Sequence, residues 1–220
     1  MLDKTLSLGF KDILSLDVIL FVIKIGFVSI FSWSMVLYFY WSDIVYIISS
    51  YFDFIPWDWL KTTGASLITL LVGHTFITIT VSILTSIYSE PLLKRLALKR
   101  YGREAINSPS IITSLIISIK ATFWFLVLFI IFLPTIFIPA IGQVILLYLY
   151  SILLKEPTIY DVGTLFIEDK NILKQKSNGT RTLSMFASLF NYIPILNIFA
   201  PIYAQILFLH HILNDNRYNA

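Results

Sequence analysis

The stretch ATFWFLVLFIIFLPTIFIPAIGQVILLYLYSILL, residues 121–154, decides the fold class of this 220-residue chain. It holds 34 consecutive residues without a formal charge, and Pro134, Pro139 and Gly142 interrupt it near its middle. One transmembrane helix needs about 20 apolar residues, so the stretch is too long for one span and too short for two spans with a turn. We therefore predict a helical hairpin whose two arms, of about a dozen residues or about 18 Å each, enter the bilayer partway and turn back.

A second uncharged stretch, residues 182–214, has the same design. Its 33 residues are interrupted near the middle by Pro194, Asn197 and Pro201. The same length argument predicts a second half-penetrating helical hairpin.

Two further apolar stretches, residues 18–42 and 64–88, each have the length of one tilted transmembrane helix. Lys24 lies close enough to the end of the first for its ammonium to reach the interface. The chain as a whole is 57% hydrophobic and 13% charged, with a mean hydropathy of +0.82, which excludes a water-soluble domain. We predict an all-α integral membrane protein, a single membrane domain over 1–220, with two full transmembrane helices and two half-penetrating helical hairpins.

An alternative arrangement makes 111–133 and 135–154 two full spans. It would place Lys120 near the bilayer centre, at a cost of about 2.5–3.5 kcal/mol on insertion scales. The hairpin keeps Lys120 at the interface and is favoured for that reason. A bundle partner or a water-filled channel could still accommodate the lysine, so full spans at 111–154 remain an alternative.

The charged connections predict the orientation of the chain. Segments 89–110 and 155–181 carry five basic residues each, whereas 43–63 carries only Lys61. The positive-inside rule then puts both basic segments and the N-terminus in the cytoplasm, and the imbalance predicts one uniform orientation. Within 43–63, aromatic residues alternate with acids in a pattern typical of a helix on the outer membrane surface.

Three sequence motifs resemble the CysZ sulfate-permease family, which includes the etoposide-induced proteins. These are YSEPLLKRLA at 88–97, IPAIGQ at 138–143 and FASLFNYIPILNIFAP at 186–201. The resemblance implies two long helices with two half-penetrating pairs, homo-oligomers, and sulfate uptake through the bacterial inner membrane for sulfur assimilation. One departure concerns LSLDVILFVIKI at 14–25, which has Ile19 and Leu20 where the family carries a basic pair implicated in sulfate binding.

The hairpin tips are the candidate binding site for a small oxyanion. Pro139 and Pro201 each suit the first position of a returning helix, which places two helix N-termini, with free N–H groups, within the membrane. Gly142 permits close approach of the backbone, while Gln143 and Asn197 add uncharged donors. Lys24 and Lys120 flank the pathway in this interpretation. The candidate substrate-binding residues are therefore Lys24, Lys120, Pro139, Gly142, Gln143, Asn197 and Pro201.

Other functional classes have less support. The sequence lacks a Gly-rich phosphate loop, HExxH and GxSxG, and every carboxylate lies outside the four apolar stretches. We therefore expect a permease or channel and not an enzyme, with no cofactor, no metal and no nucleic-acid partner. His74, within 64–88, is interpreted as a packing residue. A structural or lipid-interacting membrane protein of the same fold, without transport, is the alternative.

Overall fold

The computed structural model describes residues 2–54, 56–136, 138–193 and 195–214, so Pro194 lies outside the described residues. Within those ranges every regular element is helical. The helices are α1 (Leu2–Ile13), α2 (Leu16–Ser50), α3 (Asp58–Tyr88), α4 (Glu90–Tyr101), α5 (Ile111–Ile136), α6 (Ile141–Phe166), α7 (Lys170–Lys176), α8 (Thr180–Ser188) and α9 (Ala200–Leu213), with 3₁₀ turns at Leu189–Tyr192 and Leu196–Phe199.

The predicted all-α membrane class is confirmed. In the described part of the chain, four helical segments are long and apolar enough to cross a bilayer, namely α2, α3, α5 and Leu196–Leu213. The two predicted spans 18–42 and 64–88 lie within α2 and α3.

Helix α2 is longer than the sequence analysis predicts. Its 35 residues extend over about 52 Å, well beyond a hydrocarbon core of about 30 Å. The surface helix expected within 43–63 is wrong, because α2 continues to Ser50 and α3 begins at Asp58. No proline or glycine interrupts the sequence between Gly26 and Pro56, so nothing stops the helix at the membrane edge.

Helix α3 packs through small and hydroxyl-bearing residues. Its buried positions are Ala65, Thr69, Gly73, Thr75, Thr78, Ile79, Val81, Ser82, Thr85 and Ser86. Such residues let helices approach closely where hydrophobic exclusion from water cannot drive association. The indole of Trp33 on α2 stacks on Phe76 at 4.6 Å and donates to Thr80 Oγ1 at 2.8 Å, which fixes α2 against α3.

Helix α9 forms the centre of the bundle. All residues from Ala200 to His210 are buried, and α9 packs against α1, α3, α4, α6 and α8. A helix that is buried on every side must place each polar side chain against a partner. The polar residues of this segment are therefore candidates for a functional site.

The first hairpin consists of α5 and α6, with its turn just before α6, but its arms are longer than expected. Each arm has 26 residues, about 39 Å, because α5 begins before Lys120 and α6 continues past Lys155. The expectation of arms of about a dozen residues is therefore wrong for this hairpin. Pro134 lies in the last turn of α5 without breaking the helix, and Pro139 precedes the first helical residue of α6 by two positions, so it is not at N1.

Helix α6 runs parallel to α3 and in register with it. The Ser86 hydroxyl donates to Asp161, and Thr75 is the hydrogen-bond partner of Tyr150. Ser86 and Thr75 are eleven residues apart on α3, and Asp161 and Tyr150 are eleven residues apart on α6. The turn before α6 therefore lies beside the N-terminal part of α3. Helix α5 is long and apolar enough to cross the bilayer. The half-penetrating arrangement of this hairpin stays a prediction, with full spans at 111–154 as the alternative.

The second hairpin has the short arms that its sequence predicts. Helix α8 has 9 residues and α9 has 14, joined by the two 3₁₀ turns. Its tip contacts the middle of α3, where the amide nitrogen of Asn197 lies 3.1 Å from Thr78 Oγ1. This contact supports a tip at mid-membrane depth.

The two tips share a local backbone conformation. The sequence Ile-Pro-x-Ile/Leu occurs at 138–141 and at 193–196, and the third residue has a positive φ in both, 64° at Ala140 and 75° at Ile195. Such a conformation costs about 1–3 kcal/mol in a residue with a side chain. In both tips the carbonyl of the first residue accepts the N–H four positions on, from Gly142 and from Asn197, and this bond closes the turn.

Gly142→Ala should destabilise the protein. A Cβ at Gly142 would lie 2.2 Å from the carbonyl oxygen of Ile136, and the helix end cannot move away without opening the turn. We expect a loss of about 1–3 kcal/mol, measured as a lower Tm in detergent. Gly64→Ala is the matched control, because no atom lies within 4 Å of its Cβ position. Equal Tm values for the two variants would contradict the role given to Gly142.

A thiol placed at the second tip should be unreactive from the outer face. The chain has no cysteine, so Ile193→Cys gives a single site at a side chain that is 53% exposed. In right-side-out vesicles we expect a membrane-impermeant maleimide to label Tyr51→Cys, in the outer connection, and to leave Ile193→Cys unlabelled. Labelling of both at similar rates would overturn the second half-penetrating hairpin. Labelling of Ile141→Cys at the rate of Tyr51→Cys would establish full spans at 111–154.

Candidate functional site

The second tip makes a buried polar contact with α3 through the 3₁₀ turn that precedes α9. Asn197 is 3% exposed, and its amide nitrogen lies 3.2 Å from His74 Nε2 and 3.1 Å from Thr78 Oγ1. His74 is therefore hydrogen-bonded, in agreement with a packing role. Pro201 is the second residue of α9 and is buried, close to the N1 position that the sequence predicts.

The second tip also contacts α2. Ile198 lies against Gly26, where an added Cβ would be 2.7 Å from Ile198 Cδ1. The glycine allows this close approach, so the tip is held between α2 and α3.

The first tip has a different environment. Pro139 and Gln143 are exposed, whereas Gly142 is buried against the end of α5. The hydroxyl of Tyr192 donates to the backbone carbonyl of Gln143, which links the two hairpins. The side chains of Gln143 and Asn197 do not share one site, since the first is exposed and the second is bonded to α3.

The two candidate lysines lie on the outside of the protomer. Lys24 on α2 and Lys120 on α5 are both exposed. Lys120 lines a cavity between α5, α6 and α8 that also contains Arg181. In a single protomer the structure therefore brings together the second-tip residues only.

Asp161 on α6 is a buried carboxylate that the sequence analysis missed. It is 2% exposed and accepts hydrogen bonds from Ser86, from Ser114 Oγ at 2.7 Å and from Gln205 Nε2 at 3.2 Å. Burial raises the pKa of Asp161 to about 6, although the three hydrogen bonds act in the opposite direction. The sequence feature that could have identified Asp161 is its position as a single acidic residue within the apolar sequence TIYDVGTLFI at 158–167.

A second buried carboxylate joins three helices at the other end of α9. Asp12 on α1 is 2% exposed and accepts from Arg100 Nε at 2.9 Å, while His210 Nε2 lies 3.0 Å from its second oxygen. Tyr101 Oη is 2.7 Å from His210 Nδ1, which completes a chain from α1 through α9 to α4. Burial acts to raise the pKa of Asp12, but the bonds from His210 and Arg100 outweigh it and lower that pKa.

A basic cavity of about 350 Å³ lies at the start of α2. It is lined by Lys11 of α1 and by three cations of α4, namely Arg95, Lys99 and Arg100. Asp12 neutralises Arg100 and Asp17 offsets one further charge, which leaves a net charge of about two positive units. The cavity lies beside the sequence position where Ile19 and Leu20 replace the family's basic pair, and α1 and α4 supply its cations.

Several buried polar atoms have no hydrogen-bond partner among the described residues. They include Ser118 Oγ and Thr122 Oγ1 on α5, Ser184 Oγ on α8 and Gln205 Oε1 on α9. A buried polar atom without a partner costs about 1–3 kcal/mol, so such atoms favour the entry of water or of a polar solute between the helices. In the part of the chain that the structure describes, no three His, Asp or Glu side chains lie close enough together to hold a metal ion.

Comparison with known proteins gives one match. The family model described as "Sulfate transporter CysZ/Etoposide-induced protein 2.4" matches residues 5–201. No curated protein and no solved structure matches the chain.

Asp161 should make stability depend on pH. Because its folded pKa of about 6 exceeds the unfolded value of about 3.9, the folded state binds the proton more tightly, and stability falls as pH rises from about 4 through 6. The full effect is on the order of 3 kcal/mol. Asp161→Asn should remove this component from the Tm-against-pH curve, whereas Asp43→Asn, at an exposed site, should leave it unchanged. A curve that Asp161→Asn does not alter would contradict this assignment.

Proposed function

This chain belongs to the sulfate transporter CysZ/etoposide-induced protein 2.4 family, and from that premise we propose that it passes a small divalent oxyanion, most readily sulfate, into the cytoplasm. It is a multi-pass membrane protein of a transporter family. We place it in a bacterial inner membrane with a cytoplasmic N-terminus, following the distribution of basic residues. We expect no catalytic reaction and no cofactor.

The basic cavity is the observation that carries this proposal. Its cations come from α1 and α4, which are far apart in sequence. After Arg100 is paired with Asp12 and Asp17 offsets one further charge, Lys11, Arg95 and Lys99 leave a net charge of about two positive units to attract an anion. A concave site with excess positive charge raises the local concentration of anions. The cavity therefore supplies positive charge at the cytoplasmic end of α2, where Ile19 and Leu20 carry none.

The cavity and the second tip lie along the same buried face of α2. Val18 lines the cavity and Gly26 contacts the tip, and both belong to that face. Eight residues, about 12 Å of helix, separate them. A short step thus connects the mid-membrane tip, with Asn197 and the N-terminus of α9, to the cytoplasmic cavity.

Uncharged groups at the tip suit transport better than a fixed charge, and Asn197 would exchange its bonds to His74 and Thr78 for bonds to the anion. Uncharged groups replace part of an anion's hydration without holding it too strongly to leave. Asp161 would repel an anion when ionised, so we place the route on the α2 side of the second tip, from Gly26 to Val18.

The exposed candidate residues need a neighbouring protomer. Pro139, Gln143, Lys24 and Lys120 are exposed in one chain. We propose a homo-oligomer, because only a second copy could enclose Gln143 or Lys24 along an anion route. Asn197 requires no such partner.

Sulfate flux into proteoliposomes tests the proposal. Arg95→Gln combined with Lys99→Gln should lower the initial rate at sub-saturating sulfate by on the order of tenfold, because each charge contributes about 0.5–1 kcal/mol of attraction. Lys4→Gln combined with Lys174→Gln removes the same charge from exposed sites outside the cavity and should leave the rate unchanged.

Two outcomes decide between the alternatives. If folded protein passes neither sulfate nor thiosulfate above protein-free liposomes, the transport proposal fails and the non-transporting structural alternative replaces it. If both double variants behave like wild type, the cavity is not on the route. Asn197→Ala should reduce the flux several-fold, whereas an effect of Gln143→Ala or Lys24→Ala would support a route enclosed by an oligomer.

A further inference from the structure

A cavity of about 390 Å³ between α5, α6 and α8 combines two cations with an apolar wall. Lys120 of α5 and Arg181 of α8 supply positive charge, and Trp124, Leu128 and Ile152 form part of the apolar wall. This cavity does not include the tips or the basic cavity of α2, and its interpretation does not depend on transport.

Lys120 and Arg181 carry positive charge that no carboxylate of the cavity neutralises. Within the described ranges, neither Lys120 nor Arg181 takes part in an ion pair. The guanidinium of Arg181 lies 4.9 Å from the centre of the Tyr148 ring, which orients it without neutralising it. Glu156, the one acid that lines the cavity, lies 2.8 Å from the ammonium of Lys155.

The apolar wall lies deeper in the hairpin than Lys120. Trp124 and Leu128 follow Lys120 by one and two helical turns, so Leu128 is about 12 Å further toward the tip. On the antiparallel helix α6, Ile152 likewise lies one turn further toward the tip than Glu156. Lys120 therefore lies at the cytoplasmic end of the cavity, while the guanidinium of Arg181, 3.5 Å from Ser151 Oγ of α6, lies beside the apolar wall.

We propose that this cavity binds an anionic phospholipid of the cytoplasmic leaflet. Its phosphate lies between Lys120 and Arg181, and the first part of an acyl chain follows Trp124, Leu128 and Ile152. Basic pockets between membrane helices on the cytoplasmic side recognise such headgroups. A free sulfate or phosphate ion would gain nothing from the apolar wall, so the cavity fits a lipid better than a soluble oxyanion. Lys120 is then a lipid-binding residue.

Thermal stability of the full-length protein in mild detergent tests the proposal. Added phosphatidylglycerol should raise the Tm of wild type by several degrees more than phosphatidylcholine does, because the bound lipid stabilises the folded state. Lys120→Gln combined with Arg181→Gln should abolish the difference. Lys4→Gln combined with Lys174→Gln, which removes equal charge elsewhere, should retain it, as should Lys120→Arg.

Native mass spectrometry provides a readout that is independent of stability. Wild type should retain phosphatidylglycerol after mild activation, and the Lys120/Arg181 double variant should lose it at the same detergent concentration, even if its own Tm is lower. The proposal is overturned if the double variant retains the lipid, or if phosphatidylcholine is retained equally well. A matching Tm increase with inorganic sulfate or phosphate would assign the cavity to a free anion and would also reject the lipid.

Discussion

The complete burial of α9 is the constraint on which the rest of the structure depends. This short helix and the turn before it carry three polar side chains into the centre of the bundle, and each must find a partner there. Asn197 bonds to α3, Gln205 bonds to Asp161 of α6, and His210 lies between Asp12 of α1 and Tyr101 of α4. These contacts fix the surrounding helices against one central element.

The same contacts explain where the candidate anion route can lie. Asp161 lies between α3, α5 and α9 with its three donors, which leaves the α2 side of the second tip for a negatively charged solute. At the start of α2, the pairing of Asp12 with Arg100 brings α4 against α1. That packing collects Lys11, Arg95 and Lys99 around one cavity, so the charge of the cavity is a consequence of how α1 and α4 are held.

The hairpins combine local strain with close packing. Ala140 and Ile195 adopt positive φ values that side chains disfavour, and both turns are closed by a backbone hydrogen bond over four residues. The two hairpins then differ in length, since α5 and α6 have 26 residues each while α8 has 9. The first reaches toward the N-terminal part of α3, whereas the tip of the second is fixed at the middle of α3 by Asn197.

The sequence by itself determined the membrane class, the two long helices, the positions of both hairpin turns and the family, because hydropathy, proline placement and short motifs are local properties. It could not determine where α2 ends or how long the arms of the first hairpin are, since helices continue through charged residues when packing allows. Only the tertiary structure decided that Asp161 and Asp12 are buried and that Lys120 and Arg181 line one cavity. Those arrangements join residues from different helices, and the rotation and register of packed helices are set by contacts distant in sequence.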